Sequence, residues 1–310
     1  MKKEVSVQID RKQEVRADMM LLLITLFWGV SYYLMNVSLT ELSTFTLNAY
    51  RFLGAFAVAA IGTFPKMRKI NRETFFAGAA VGIALSFVYT GATLGVQYTT
   101  LSNSAFLCST TVFFTPILDF LFFRRKPSKK IIVAVILCIV GISLMTLKED
   151  FSFNMAHLKG DLFSLGCGFA YAVDIVITSR AVRNARVEPY QMGVISLGAC
   201  GAIMLVLALA TEMPLAHPRT AFVWGAVIFL SLFCTGIAFI VQPIAQQYTE
   251  ASHVGIIFSL EPVFAGITAF FLAHEVLTVR GYIGEALMIF ALLYMEIDFG
   301  GAKLNRRRKG

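Results

Sequence analysis

Gln97-Tyr98-Thr99-Thr100 opens a stretch that the chain uses twice, because Gln247-Tyr248-Thr249-Glu250 follows at an offset of 150 positions. Laid on each other at that offset without a gap, Ser102 meets Ser252, Ser109 meets Ser259, and Leu144-Met145 meets Tyr294-Met295. In each copy a short polar start leads into a long apolar run, a polar break and a second apolar run. Self-similarity at a fixed offset is a statement about architecture, since each copy must fold as the same unit. It divides the chain into a first half at 19–148 and a second at 160–298, with polar tails at 1–18 and 299–310.

Composition says what solvent surrounds these halves. Of the 310 residues, 57% are hydrophobic, 15% are charged and 28 are Phe, and the mean hydropathy is +0.72. A soluble domain carries about 25% charged residues to cover its surface. This chain cannot do so, and its medium is a lipid bilayer. The net charge of +8 invites a nucleic-acid reading. That reading fails because the basic residues cluster in short connections between apolar runs, as cytoplasmic loops do. The five cysteines (Cys108, Cys138, Cys167, Cys200, Cys234) all fall within apolar runs. An odd number so placed argues against a disulfide framework, and no Cys-x-x-Cys pair offers a metal site. They read as small packing residues. The charged start (Lys2, Lys3, Arg11, Lys12, Arg16) lacks a small-residue cleavage site, which predicts a retained anchor.

A spanning helix needs about 20 mostly apolar residues. Ten such runs are present, at 19–38, 44–64, 74–95, 102–123, 131–147, 160–179, 190–211, 220–243, 253–273 and 279–297. With the N-terminus inside, the inner segments hold the five N-terminal basic residues and Lys66, Arg68, Lys69 and Arg72. They also hold Arg124, Arg125, Lys126, Lys129, Lys130, Arg180, Arg183, Arg186 and five in the C-terminal tail. That is 22 against 4 outside (Lys148, Lys159, Arg219, Arg280), so both termini are expected in the cytoplasm. Five spans per half is an odd number, and the second half must therefore enter the membrane upside down. The basic loop Arg124–Lys130 aligns with His274–Arg280, which has lost its positive charge as a loop on the opposite face would. The expected fold is all-α, ten transmembrane helices in two inverted five-helix repeats. Inverted repeats characterise secondary transporters, with the site near the midplane between the halves.

Several short stretches, in order and in two copies, give the chain a family likeness. They are Phe27-Trp28-Gly29 in the first run, Arg51-Phe52 in the second, Thr115-Pro116 in the fourth, Gly160-Asp161-Leu162 opening the second half, and Ser259-Leu260-Glu261-Pro262-Val263-Phe264 in the ninth. On these the chain resembles the ten-helix drug/metabolite transporter superfamily, in its EamA branch, over nearly its whole length. The resemblance implies secondary-active movement, often export, of amino acids, other small metabolites or drugs across a bacterial plasma membrane. Two positions depart from the family pattern. Arg125 stands where the family often has glutamate, and Glu285 stands where a small apolar residue is usual.

Ionisable residues within apolar runs are costly, and each is a candidate for function. Asp174 lies on one helical face with Tyr171 and Thr178, and it could exchange a proton or hold a substrate ammonium. Glu261 and Glu285, expected near the extracellular ends of their helices, are further candidates for proton coupling or an outer vestibule. Arg51 could hold a substrate carboxylate bidentately or tie two helices together. Asp119 reads as structural, within reach of the basic loop. Trp28, Tyr32, Tyr89 and Tyr171 lie inside their runs, where a polar ring atom needs a partner, and they read as lining a cavity with Gln242. Trp28 and Tyr171 match between the halves at an offset of 143. Pro116, Pro243 and Pro262 free backbone carbonyls and are candidate hinges. Gly91, Gly95, Gly166 and Gly168 read as close-packing positions.

Other classes lack their residues. There is no phosphate-binding Gly-x-x-x-x-Gly-Lys-Ser/Thr loop, so no nucleotide engine and no cofactor is expected. The four His are scattered, which leaves an intramembrane enzyme without a catalytic cluster and without a metal centre. A proton-coupled antiporter of cationic drugs is the nearest rival reading; a channel or a lipid-handling scaffold is a rival from another class. The expected partners are a small-molecule substrate and the lipid bilayer, with no nucleic acid.

Overall fold

The computed structural model describes residues 11–124, 127–146, 157–273 and 278–296, and among them every regular element is a helix. The cause is the solvent. Hydrocarbon offers no partner to a backbone N–H or C=O, and a helix satisfies both within one segment. In chain order the elements are α1 (Arg11–Ser38), α2 (Thr44–Gly62), the short α3 (Phe64–Met67), α4 (Arg72–Tyr98), α5 (Leu101–Cys108), α6 (Thr111–Phe123) and α7 (Lys129–Thr146). The second half supplies α8 (Leu158–Ala181), α9 (Pro189–Thr211), α10 (Ala221–Phe229), a π-helical stretch at Leu230–Ile237, α11 (Ala238–Ala245), α12 (Ala251–Phe258), α13 (Glu261–Thr268), a second π-helical stretch at Ala269–Ala273, and α14 (Val279–Glu296).

Among the described residues eight helical rods are long and apolar enough to cross a membrane, against the ten that the sequence predicts. The remaining two runs form α7 and α14, of 18 residues each, which pack along one another. At about 1.5 Å per residue such helices fall just short of a hydrocarbon core about 30 Å thick. Each ends against residues outside those described. Also outside them are residues 1–10 and 297–310 of the tails, Arg125, and the connection that holds His274 and Glu275. The start of α1 at Arg11 places part of the expected N-terminal tail in the first helix.

Two apolar runs are broken where single helices are expected, and at matching places. α5 stops and α6 restarts around Ser109-Thr110; α12 stops and α13 restarts around Ser259-Leu260. The serines coincide at the 150 offset. Each turns its hydroxyl onto its own helix, Ser109 to the Ala105 carbonyl at 3.0 Å and Ser259 to the Ile256 carbonyl at 2.7 Å. Such back-bonding competes with the helical ladder. Pro116 lies inside α6 as expected. Pro262 instead occupies the first turn of α13, where a missing N–H costs nothing, so the discontinuity belongs to Ser259-Leu260 and not to a mid-helix proline. Pro243 is inside α11 and leaves the Phe239 carbonyl without its usual donor. That carbonyl faces Gly193 so closely that a Cβ there would collide with it, the geometry of a Cα–H···O contact. The repeated tetrapeptides also differ: Gln97 and Tyr98 still belong to α4, whereas Gln247–Glu250 lie in a turn after α11.

Packing follows the repeat. α4 lies against α8 and α9, α2 against α9, α6 against α8 and α12, and α1 against α11, α13 and the first π-helical stretch. Exchanging the halves carries the α4–α8 contact onto α11–α1 and the α6–α8 contact onto α13–α1. Glycine permits the closest crossings. A Cβ on Gly29 would stand 2.7 Å from the Phe264 carbonyl carbon, and one on Gly168 would stand 2.9 Å from the Cys108 oxygen. Gly91 and Gly95 are similarly hemmed in, but Gly166 meets nothing within 4 Å and is not a packing position.

At one end of the bundle two carboxylates cap each other's neighbours. Glu212, after α9, accepts from the Phe45 and Thr46 N–H groups at 2.9 and 2.7 Å. Glu41, between α1 and α2, accepts from the Arg219 N–H, the Thr220 N–H at 3.2 Å and the Thr220 hydroxyl at 2.8 Å. Each anion thus meets the positive end of a helix from the other half. At the opposite end, the Asn71 amide donates to the Arg186 carbonyl at 2.6 Å and Glu73 pairs with Arg186 at 3.0 Å.

The Arg219 backbone N–H, assisted by Thr220, holds the Glu41 carboxyl below its ordinary range. A carboxyl lowered in the folded state adds stability above its unfolded pKa and loses it as pH falls through the folded value. Glu41→Gln should therefore lower the melting temperature of the purified protein at neutral pH. The gap to the parent should close in acid, and thermal unfolding across a pH series measures it.

Candidate functional site

The two halves meet on aromatic rings. Trp28 and Tyr171, equivalent between repeats, touch each other with ring centroids 5.5 Å apart. Tyr89 and Phe239, equivalent at the 150 offset, touch at 5.7 Å. Residues exchanged by a repeat can touch only beside the axis that relates the two copies, so these pairs mark the centre of the molecule. Phe258 completes the cluster, 4.8 Å from Trp28 and stacked on Tyr171 at 5.5 Å. Trp28 is fixed by its indole N–H, which donates to the Cys234 carbonyl at 2.9 Å. That carbonyl lies in the first π-helical stretch, a local irregularity of the kind that gathers at functional sites.

Around these rings lies a cavity of about 20 Å³, room for about one water molecule. Its wall includes Trp28, Tyr32, Tyr89, Tyr171 and Glu261, as well as Ser31, Met35, Cys108, Cys167 and Phe239. Glu261 is the acidic side chain of that wall. It opens α13 at the helix break, beside the Tyr32 hydroxyl, in the middle of its run and not at an outer vestibule. Thr111 is its repeat counterpart, so the second half alone carries the acid. Among the described residues no group of three His, Cys, Asp or Glu side chains converges as metal ligands would.

The remaining candidates stand behind the wall. Arg51 is 0% exposed. Its Nε donates to the Thr235 hydroxyl at 2.9 Å, one terminal nitrogen approaches the Met35 sulfur at 3.3 Å, and the guanidinium lies 4.5 Å from the centre of the Tyr89 ring. The other terminal nitrogen has no partner. Met35 and Tyr89 therefore separate Arg51 from the cavity, and the helix tie it makes is to a hydroxyl. Asp174, also 0% exposed, accepts from the Gln242 amide at 3.1 Å with its second oxygen unpartnered. Asp119 is buried, with Ser252 donating to it at 3.3 Å. Glu285 lies on α14, and its side chain is outside those described.

Residues that patterning left out are those that look like ordinary packing residues. All five cysteines are free and buried, and Cys108 and Cys167 line the cavity although their apolar context reads as plain packing. Ser31 and Met35 sit one turn from Trp28 and Tyr32 on α1, and helical spacing from those aromatics would have found both. Phe239 was findable as the repeat partner of Tyr89.

The profile of the EamA-like transporter family fits residues 15–147 and again 158–296, and that of solute carrier family 35 fits 87–213. An uncharacterized transporter of Archaeoglobus fulgidus is 27% identical over 281 residues, spanning 91% of this chain and 86% of its own. The uncharacterized transporter YoaV of Bacillus subtilis is 21% identical over 286 residues, 91% of this chain and 97% of its own. Among solved structures, one titled only as the crystal structure of a protein superposes with a TM-score of 0.73 at 15% identity, covering 91% of this chain and 96% of that one. That likeness concerns the fold.

Thr235→Val should leave the buried Arg51 Nε unpaired. An orphaned buried donor costs about 1–3 kcal/mol, and thermal unfolding in detergent should show the loss as a lower melting temperature.

Proposed function

The chain belongs to the EamA-like transporter family of the drug/metabolite transporter superfamily, and from that premise we propose that it is a secondary-active exporter of amino acids or other small metabolites. It works by alternating access through the central cavity. The membrane domain comprises ten spans in two inverted repeats, 19–148 and 160–298, in a plasma membrane with both tails cytoplasmic. α7 and α14 complete the two sets of five.

The observation that carries this reading is Glu261, placed among aromatic rings where the two halves meet. A carboxylate in a box of Trp28, Tyr32, Tyr89 and Tyr171 suits an ammonium group, which it holds by charge-assisted hydrogen bonds while the ring faces add cation–π attraction. The cavity is far smaller than the several hundred Å³ typical of ligand sites, which is consistent with a closed step of such a cycle. Opening toward either side has natural pivots at Ser109-Thr110 and Ser259-Leu260, with Pro116, Pro243 and Pro262 nearby.

One observation favours a second reading, proton-coupled antiport of organic cations. No Lys, Arg or His is among the residues lining the cavity, so a substrate carboxylate finds Arg51 only behind Met35 and Tyr89. Under that reading Glu261, Asp174 and Glu285 are the candidate carriers of the exchanged proton.

Counterflow in proteoliposomes tests both, with a labelled amino acid in one arm and a labelled quaternary amine in the other. Saturable exchange is expected for the wild type, and Glu261→Gln should reduce it at least about tenfold, as loss of one charge-assisted contact does. Unchanged flux in Glu261→Gln would end the role of this carboxylate; unsaturable flux would point to a channel.

A further inference from the structure

Five buried polar atoms without partners lie along one interface. They are the Tyr171 hydroxyl, Asp174 Oδ1 and Thr178 Oγ1 on α8, and Gln242 Oε1 and Gln246 Nε2 on α11 and just after it. Tyr171, Asp174 and Thr178 follow one another at helical spacing on one face, and Gln242 and Gln246 do the same opposite. Two bonds cross between them: Gln242 to Asp174 at 3.1 Å, and Ser179 to Gln246 at 3.4 Å. α8 packs its backbone on α4, α5, α6 and α12, and it reaches α11 and the turn after it through side chains. The seam begins at Tyr171 on the wall of the central cavity and runs toward the Arg180, Arg183 and Arg186 end of α8. Just beyond Gln246, Thr249 and His253 are 3.2 Å apart, with Asp18 at 3.9 Å from His253.

The other half lacks such a seam. The repeat counterparts of Asp174 and Thr178 are Ser31 and Met35, and those of Gln242 and Gln246 are Ala92 and Val96. Ser31 is satisfied by the Trp28 carbonyl at 2.8 Å. A buried polar group without a partner costs about 1–3 kcal/mol, and a chain does not keep five in one file unless something meets them. Waters bridging groups of this kind make about three bonds each.

We infer that the α8–α11 seam is a one-sided hydrated passage that carries protons between the basic face of the bundle and Asp174. The inference rests on the transporter reading for its purpose but not for its existence. A proton taken from water at the basic mouth passes along bridging waters and ends on Asp174 Oδ1; a proton leaving that oxygen returns by the same route, and no other bond changes. The titratable and charged groups near Asp174 are Tyr171 on its own helix and Cys200 on α9, which also feels Arg51 on α2, while α11 contributes neutral Gln242.

The test is sided labelling of the full-length protein in sealed vesicles of known orientation. The probe is a small permanently charged methanethiosulfonate, and the wild type with its five buried cysteines is the baseline. Labelling at Ser128→Cys, in the basic loop, identifies the face. Thr178→Cys should react from the basic face about tenfold faster than the baseline, since thiol reactivity follows access to water. Gln246→Cys serves as the second variant if the first is not monodisperse. Val96→Cys, the counterpart of Gln246, should remain at baseline from both faces. Protection of Thr178→Cys and Gln246→Cys from both faces overturns the passage. So does reaction from the opposite face alone, or equal reaction of Val96→Cys from its own face, which would mean ordinary opening of the whole protein. Labelling needs no substrate, so absence of flux with every compound would remove the transporter reading and leave the passage standing.

Discussion

Hydrocarbon supplies no hydrogen-bond partner, and this one constraint orders the whole molecule. It makes every described element a helix. It also turns polar side chains within the bundle inward, away from lipid, where most find partners inside the chain. Trp28 finds the Cys234 carbonyl, Arg51 finds Thr235, and Asp174 finds Gln242. Polar groups therefore gather inside the bundle, both between the halves (Trp28 with Cys234, Arg51 with Thr235) and within the second half (Asp174 with Gln242). Large apolar side chains such as Phe87, Leu121, Phe222 and Phe271 stand exposed on the outside for the same reason.

Duplication then decides where the centre lies, and divergence decides what it can do. The axis passes beside Trp28–Tyr171 and Tyr89–Phe239, and a cavity at that place belongs to neither half. The copies have diverged at this place: Glu261 lines the cavity, whereas its repeat counterpart is Thr111, which is not among the residues of the wall. The same asymmetry separates Asp174 from Ser31 and Gln242 from Ala92. The acids that lack a repeat counterpart make the two halves chemically unequal at their meeting place.

Much of the fold was legible because its signals are periodic and redundant. Apolar runs, basic loops and the 150-residue offset each report the same two-part architecture. The helix breaks were not legible. Ser109 lies inside an apolar run with no Pro or Gly beside it, and serines such as Ser31 and Ser86 make the same kind of bond within helices that continue unbroken. Pro262 looked like the cause and proved to be a tolerated first-turn residue. The site was half legible. Buried aromatic and ionisable residues stand out in an apolar run, whereas Cys108, Cys167 and Met35 look like any other packing residue there.

Which charges touch the cavity was beyond the sequence altogether. Glu261, Asp174 and Arg51 are equally conspicuous in the chain, yet only the first reaches the wall, because the rotation of each helix about its own axis is set by packing against several neighbours. By itself the sequence determined the solvent, the helical class and the division into two halves, since these depend on composition and spacing along one chain. The tertiary structure alone decided which residues meet at the centre. That choice depends on backbone crossings such as Gly29 against Phe264 and Gly193 against Phe239, which the local periodicity of the chain does not fix.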